Sequence, residues 1–272
     1  MQVFRGMDIG TAKPDLATRG RFGYHLVDIA DPAEEFTAAD FQAAGTAVLD
    51  TIEAEGRNAV IAGGSGLHFR SLVDPLDFPP TDPEVRGELE AMDEDALRTE
   101  LLSVDPTAAT VIDLANPRRV LRAVEILRLT GATPTERAAT PDAEAVRSYR
   151  PARVFTAIGI DPGPRLAERI GKRFDQMLES GLLAEVEELA PYLGRTARKA
   201  VGYRELLDVV DGRVDLPTAR ADALRATNGL AKRQRTFFRR DPRIQWIPWH
   251  HEPEAMARTA IEVLAKDAPW IS

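Results

Sequence analysis

The sequence predicts an α/β core interrupted by an all-helical segment. Three observations carry this. The first third alternates short apolar runs with amphipathic stretches, the pattern of βα crossovers over a parallel sheet. The stretch "DPLDFPPTDPE" (74–84) then holds four prolines in eleven residues, and helical periodicity alone follows it. A strand-like run returns at "RVFTAIGID" (153–161). The core is therefore expected to be discontinuous, residues 1–75 with 149–272, around a helical insertion at 76–148.

Each element follows from local signals. "YHLVDI" (Tyr24–Ile29) reads as a short strand. The next stretch is an amphipathic helix with Thr37 as N-cap and Gly56 as its end. "NAVIAGG" (58–64) reads as a buried strand stopping at two glycines, and "SGLHFRSLV" as a helix. In the insertion, Thr81 and Glu84 have the spacing of a capping box. Helices are expected at "DEDALRTELLSV" and "PTAATVIDL". In "NPRRVLRAVEILRLTG", Asn116 is the expected N-cap, Pro117 the first helical residue and Gly131 the stop. Helices are then expected near 164–181, 182–192, 203–210 and 217–240. A last strand, "RIQWI", and a closing helix, "EPEAMARTAIEVLAKD", complete the chain.

Composition narrows the function. Lysine and arginine number 35 and aspartate and glutamate 43 in 272 residues, a net charge of −8. A general nucleic-acid coat is excluded, while a local basic face is not. Cysteine is absent, which removes disulfides, thiolate metal sites and cysteine nucleophiles. No signal-peptide or membrane-spanning pattern occurs, so a cytoplasmic protein is expected. The four histidines lack metal-ligand spacing, and no GxxxxGK[ST] motif is present.

Four stretches could carry chemistry. In "IAGGSGLHF" a glycine turn opens a helix, so backbone N–H groups and the Ser65 hydroxyl could meet an anion or a polar edge. A capped tight turn explains it equally well. In the opening "MQVFRGMDIGTAKP", Arg5 and Lys13 flank two glycines and could hold phosphates. Arg118, Arg119 and Arg122 gather near a helix N-terminus, against the helix dipole. That points to an external anion, or else to ion pairs with Glu125. "LAKRQRTFFRRDPR" concentrates Lys232, Arg233, Arg235, Arg239, Arg240 and Arg243 around Phe237 and Phe238. Such a face suits phosphates and stacked bases.

Seven blocks, "QVFRGMDIGTAKP", "AGGSGLHFRSLV", "TDPEVR", "NPRRVLRAVEI", "RIGKRFDQMLESGLLAEVEEL", "KAVGYRELL" and "LAKRQRTFFRRDPRIQWI", resemble bacterial tRNA dimethylallyltransferases in content and order. The resemblance covers nearly the whole chain. It implies a P-loop-type α/β core with an inserted helical, tRNA-binding domain. It implies transfer of a dimethylallyl group from dimethylallyl diphosphate to N6 of the adenine beside the tRNA anticodon, with Mg²⁺ on the diphosphate. The partners implied are the anticodon stem-loop and dimethylallyl diphosphate, no membrane, and a monomeric enzyme.

By the same resemblance, the tRNA-contacting set is Met1, Gln2, Ser65, Arg86, Arg118, Arg119, Arg122, Lys199, Gly202, Tyr203 and Arg204. Ser65 stands where a threonine touches the target adenosine. Arg169 and Arg173 lie in the block that gives one arginine to the diphosphate. His68 replaces a usual tyrosine, and "TNGLAKRQ" replaces "TRQLAKRQ". Family members place a P-loop, a helix, a strand and an Asp-Ser pair before the QVF-like stretch. The phosphate cradle, the Mg²⁺-binding hydroxyl and the general-base aspartate are therefore expected upstream of Met1, and the chain as written is expected to be inactive. A start placed at an internal methionine is favoured over a real truncation. The competing readings are an adenylate isopentenyltransferase, a non-catalytic tRNA-binding remnant and an unstable fragment.

Overall fold

The computed structural model describes residues 1–267. They divide into two compact units, Met1–Leu72 with the chain from Phe155 onward, and Val73–Val154.

The first unit begins with α1 (Leu16–Phe22), α2 (Ala38–Ala54) and α3 (Gly66–Val73). Thr37 and Asp40 exchange hydrogen bonds as a capping box at the start of α2. The second unit holds α4 (Pro83–Glu90), α5 (Glu94–Val104), α6 (Pro117–Thr130), α7 (Pro134–Ala138) and α8 (Pro141–Arg147). Its core is Leu89, Leu97, Leu101, Ala108, Val120, Ala123 and Val124. The α6 limits match the sequence signals. Asn116 accepts from the Arg119 N–H, Pro117 opens the helix, and Gly131 closes it at φ 74°.

The chain returns to the first unit with β1 (Ala157–Asp161), α9 (Leu166–Glu179), α10 (Leu182–Leu189), α11 (Tyr203–Val210), α12 (Leu216–Phe238), β2 (Ile244–Pro248) and α13 (Pro253–Asp267). β1 and β2 pair in parallel, Ala157 opposite Ile244 through Asp161 opposite Pro248. Gly159 must be glycine, because a Cβ there would lie 2.8 Å from the Trp246 ring. The core of this unit joins Phe4 and Met7 of the opening stretch to Phe174, Leu182, Val186, Tyr203, Leu206 and Ala223.

The α/β class holds, with a parallel sheet of two strands among the described residues. Several expectations are corrected. Tyr24–Ile29 is not a strand, since Leu26 and Asp28 adopt φ of 60° and 58°, which breaks the pleat. Only an isolated parallel bridge, Phe4 to Ala30, forms there. Residues 58–64 form no ladder either, and Val60 is 93% exposed. A strand exists through its partner's N–H and C=O groups, and among the described residues no strand pairs with this run. The "PTAATVIDL" stretch holds only a 3₁₀ turn, Ala108–Thr110. The α4 N-cap is Asp82, whose carboxylate accepts from the Glu84 and Val85 N–H groups, and not Thr81.

Candidate functional site

The opening stretch is a brace. The Lys13 side chain is 2% exposed and donates to the Phe4 carbonyl at 2.6 Å, to Asp8 at 2.6 Å and to Asp28. It is not free to hold a phosphate, which corrects the expectation for that residue. Arg5 pairs with Asp31 at 3.5 Å. Gln2 turns its amide inward, donating to the Thr11 and Ala12 carbonyls at 3.0 Å each.

Glu185 on α10 ties this brace to the rest of the unit. Its carboxylate accepts the backbone N–H groups of Asp8, Ile9 and Gly10 at 2.9, 2.7 and 3.2 Å, and the Tyr203 hydroxyl at 2.5 Å. Tyr203 is fully buried, and burial with the adjacent Glu185 pushes its phenol far above the ordinary range. Its side chain therefore presents nothing to an external ligand, a correction to its place in the contacting set. The Gly202 N–H is likewise engaged, with Glu205 at 2.8 Å. Lys199 and Arg204 on the same turn are exposed. Arg204 pairs with Glu205, while Lys199 has no ion pair among the described residues.

The glycine turn at 63–66 sits on α12. A Cβ at Gly64 would fall 2.7 Å from the Gln234 amide, and one at Gly66 2.1 Å from the Phe237 ring. Close approach, rather than positive φ, requires glycine at Gly66. Ser65 is exposed, and its Oγ lies 2.6 Å from His68 Nδ1. The His68 ring packs edge-on against Phe41 of α2, centroids 4.5 Å apart. Burial lowers the imidazole pKa from its ordinary value.

Beside this turn, Lys232, Arg233, Thr236, Phe237 and Arg240 line a shallow open groove on α12. Arg235 and Arg239 do not join them, because both pair with Asp161 at the end of β1, at 3.4 and 3.1 Å. The Gly163 N–H, followed by these arginines, holds the Asp161 carboxyl below the usual carboxylate range. Arg243 is spent on Asp241 at 2.7 Å. The densest basic run of the sequence is thus partly internal.

The structure also separates the two arginines of α9. Arg169 is half-buried, donates to the Pro162 carbonyl at 2.8 Å and lies 3.8 Å over the Trp249 ring. Arg173 is exposed and has no polar partner among the described residues.

In the second unit, Glu125 is fully buried and accepts from Arg86 at 3.1 Å and Arg122 at 2.8 Å. Arg122 donates further to the Pro79 and Pro80 carbonyls. Arg118 and Arg119, about one turn earlier on α6, are exposed and unpaired among the described residues. The ion-pair alternative therefore applies to Arg122 and not to its neighbours. Sequence reasoning missed Glu185 and Asp161 as hubs. The Ser65–His68 spacing was visible but carried no signal by itself.

Comparison with known proteins places this geometry. A family model described as IPP transferase matches residues 2–241. The chain is 40% identical over 251 residues to a tRNA dimethylallyltransferase of Bifidobacterium longum subsp. infantis, covering 90% of this chain and 74% of that protein. It is 42% identical over 255 residues to one of Streptomyces avermitilis, covering 91% and 79%. Among solved structures, a tRNA delta(2)-isopentenylpyrophosphate transferase of Staphylococcus epidermidis superposes with TM-score 0.68 at 29% identity, over 98% of this chain and 88% of that one. A eukaryotic dimethylallyltransferase acting on tRNA gives TM-score 0.75 at 22% identity, over 98% and 71%, a likeness of fold. The chain belongs to the IPP transferase family.

Proposed function

We propose that this chain serves dimethylallyl transfer to tRNA: from dimethylallyl diphosphate to the exocyclic N6 of the adenine beside the anticodon. The observation that carries this reading is the 40–42% identity, over nine-tenths of the chain, to proteins named for that reaction. A bond forms between N6 and the allylic carbon, the bond from that carbon to the diphosphate oxygen breaks, and N6 loses a proton. Cations are needed on the leaving diphosphate, and the target base must leave its stack.

The chain's own residues suit parts of this work. Arg173 is the better diphosphate ligand, since Arg169 is already committed to Pro162 and Trp249. The exposed Ser65 hydroxyl meets the adenine. Lys232, Arg233 and Arg240, with Lys199, hold RNA phosphates on the first unit. Arg118 and Arg119 do so on the second, with Arg86 and Arg122 held behind them by Glu125. Tyr203 and Gln2 shape the site from inside. Among the described residues no three histidine, aspartate or glutamate side chains converge to cage a cation. A Mg²⁺ ion would take its oxygen ligands largely from the diphosphate and water, where it would neutralise the leaving group.

No helix among the described residues is long and apolar enough to cross a membrane. A monomer working in the cytoplasm, where its RNA substrate is, completes the reading.

The test is equilibrium binding of a fluorescent anticodon stem-loop, with AMP as competitor. We expect stem-loop binding that weakens steeply with salt and resists millimolar AMP. Tight AMP binding that displaces the RNA would instead favour a transferase acting on free nucleotides.

A further inference from the structure

We propose that His68 fixes the orientation of the Ser65 hydroxyl, so that Ser65 reads the exocyclic amino group of the target base. The inference rests on the reading that Ser65 meets that adenine.

A serine Oγ can donate one hydrogen bond and accept others, and its rotor is set by its partner. Here the partner is His68 Nδ1, 2.6 Å away and three residues along at the start of α3. Ser65 has no other side-chain hydrogen bond among the described residues. His68 is held from a second element by the edge contact with Phe41. The pair is thus a fixed dyad on an exposed turn.

A half-buried imidazole favours its neutral form, in which one ring nitrogen is a pure acceptor. With Nδ1 as that acceptor, the Ser65 proton is committed to His68, and the remaining lone pairs of Oγ face outward. An outward acceptor matches an amino group, which donates. It opposes a carbonyl at the same position, and gains nothing from a hydrogen. The dyad then discriminates adenine from inosine and from purine, beyond what the phosphate contacts supply. Asparagine could replace His68 in this role, since its amide oxygen falls near the Nδ1 position. Phenylalanine could keep the packing against Phe41 but not the hydrogen bond.

Two measurements test this. The first is ¹⁵N NMR of histidine-labelled protein at neutral pH, with the His68 signal assigned from the His68→Phe spectrum. The expected result is an unprotonated Nδ1 and a protonated Nε2. A protonated Nδ1 would make Ser65 an outward donor and overturn the proposal.

The second is binding of three stem-loops that differ only at the target base: adenine, purine or inosine. The wild-type chain should prefer adenine to purine by about fivefold, the worth of one neutral hydrogen bond. His68→Phe should abolish that preference while leaving purine-RNA affinity unchanged, and His68→Asn should restore most of it. A preference that survives in His68→Phe overturns the proposal. An equal loss on all three RNAs assigns His68 to packing and also overturns it. Wild-type binding without preference defeats this inference but not the proposed function. Absence of stem-loop binding defeats the proposed function, and the NMR result still decides whether the dyad exists.

Discussion

Two glutamates, one in each unit, solve the same problem in opposite ways. Glu185 satisfies its carboxylate with neutral donors, the N–H groups of Asp8, Ile9 and Gly10 and the Tyr203 hydroxyl. Glu125 takes two guanidinium groups, Arg86 and Arg122, on one oxygen, Oε2, and leaves Oε1 buried without a hydrogen bond among the described residues. The first arrangement fixes backbone and leaves no net positive charge behind. The second ties two cations down, Arg86 being shared with Glu90 at 2.9 Å, close in sequence to Arg118 and Arg119, which have no ion pair among the described residues. A brace built from neutral donors suits a scaffold. One built on charge fixes its cations in place and leaves the meeting of an anion to the unpaired arginines beside it.

The contrast is broken most severely at Gly10. Its missing Cβ would lie 2.4 Å from the ring of the fully buried Tyr203. Gly10→Ala should cost about 3 kcal/mol, as overpacking of a filled core does, read as a lower urea midpoint. Glu125→Gln comes next. It should cost about 2 kcal/mol, because both arginines are about a third exposed and solvent screens the charge left behind. Tyr203→Phe removes one donor from Glu185 without changing shape and should cost about 1 kcal/mol.

The smallest effect is on pH dependence. Burial raises the Asp28 carboxyl pKa, but hydrogen bonds from Lys13 and Arg19 outweigh it, and the net shift is downward. Asp105 behaves alike in the second unit, where bonds from Thr135 and Thr107 outweigh burial. A depressed carboxylate contributes stability that is fully present above the unfolded pKa of about 3.9. That contribution is lost as pH falls through the lower folded value. Acid titration of Asp28→Asn and Asp105→Asn should each show a shallower loss of stability below pH ~4. An unchanged acid limb would remove these groups from the account.

What the sequence disclosed follows the range of the interactions. The α6 limits were legible because Asn116, Pro117 and Gly131 act within a turn of themselves. The Arg122–Glu125 pair was legible at a spacing of three. Strands were not, because a ladder depends on distant partners: "YHLVDI" and "NAVIAGG" have strand-like composition but no pairing strand among the described residues. Glu185 was illegible for the same reason, since its backbone partners lie 175–177 residues away in the chain. The basic run on α12 misled by density alone. Composition cannot show that Asp161 and Asp241 pair with Arg235, Arg239 and Arg243.

The central claim is that cations left without a carboxylate hold RNA, whereas paired ones hold the protein. It is tested most directly by the salt dependence of stem-loop binding in two variants. One replaces the unpaired Arg118 and Arg119 with alanine. The other replaces Arg195, which is exposed but paired with Glu35 at 2.7 Å. The account predicts that the slope of log K against log salt becomes shallower by about two in the first variant and stays unchanged in the second. Equal slopes in both variants, or a change confined to Arg195→Ala, would contradict it.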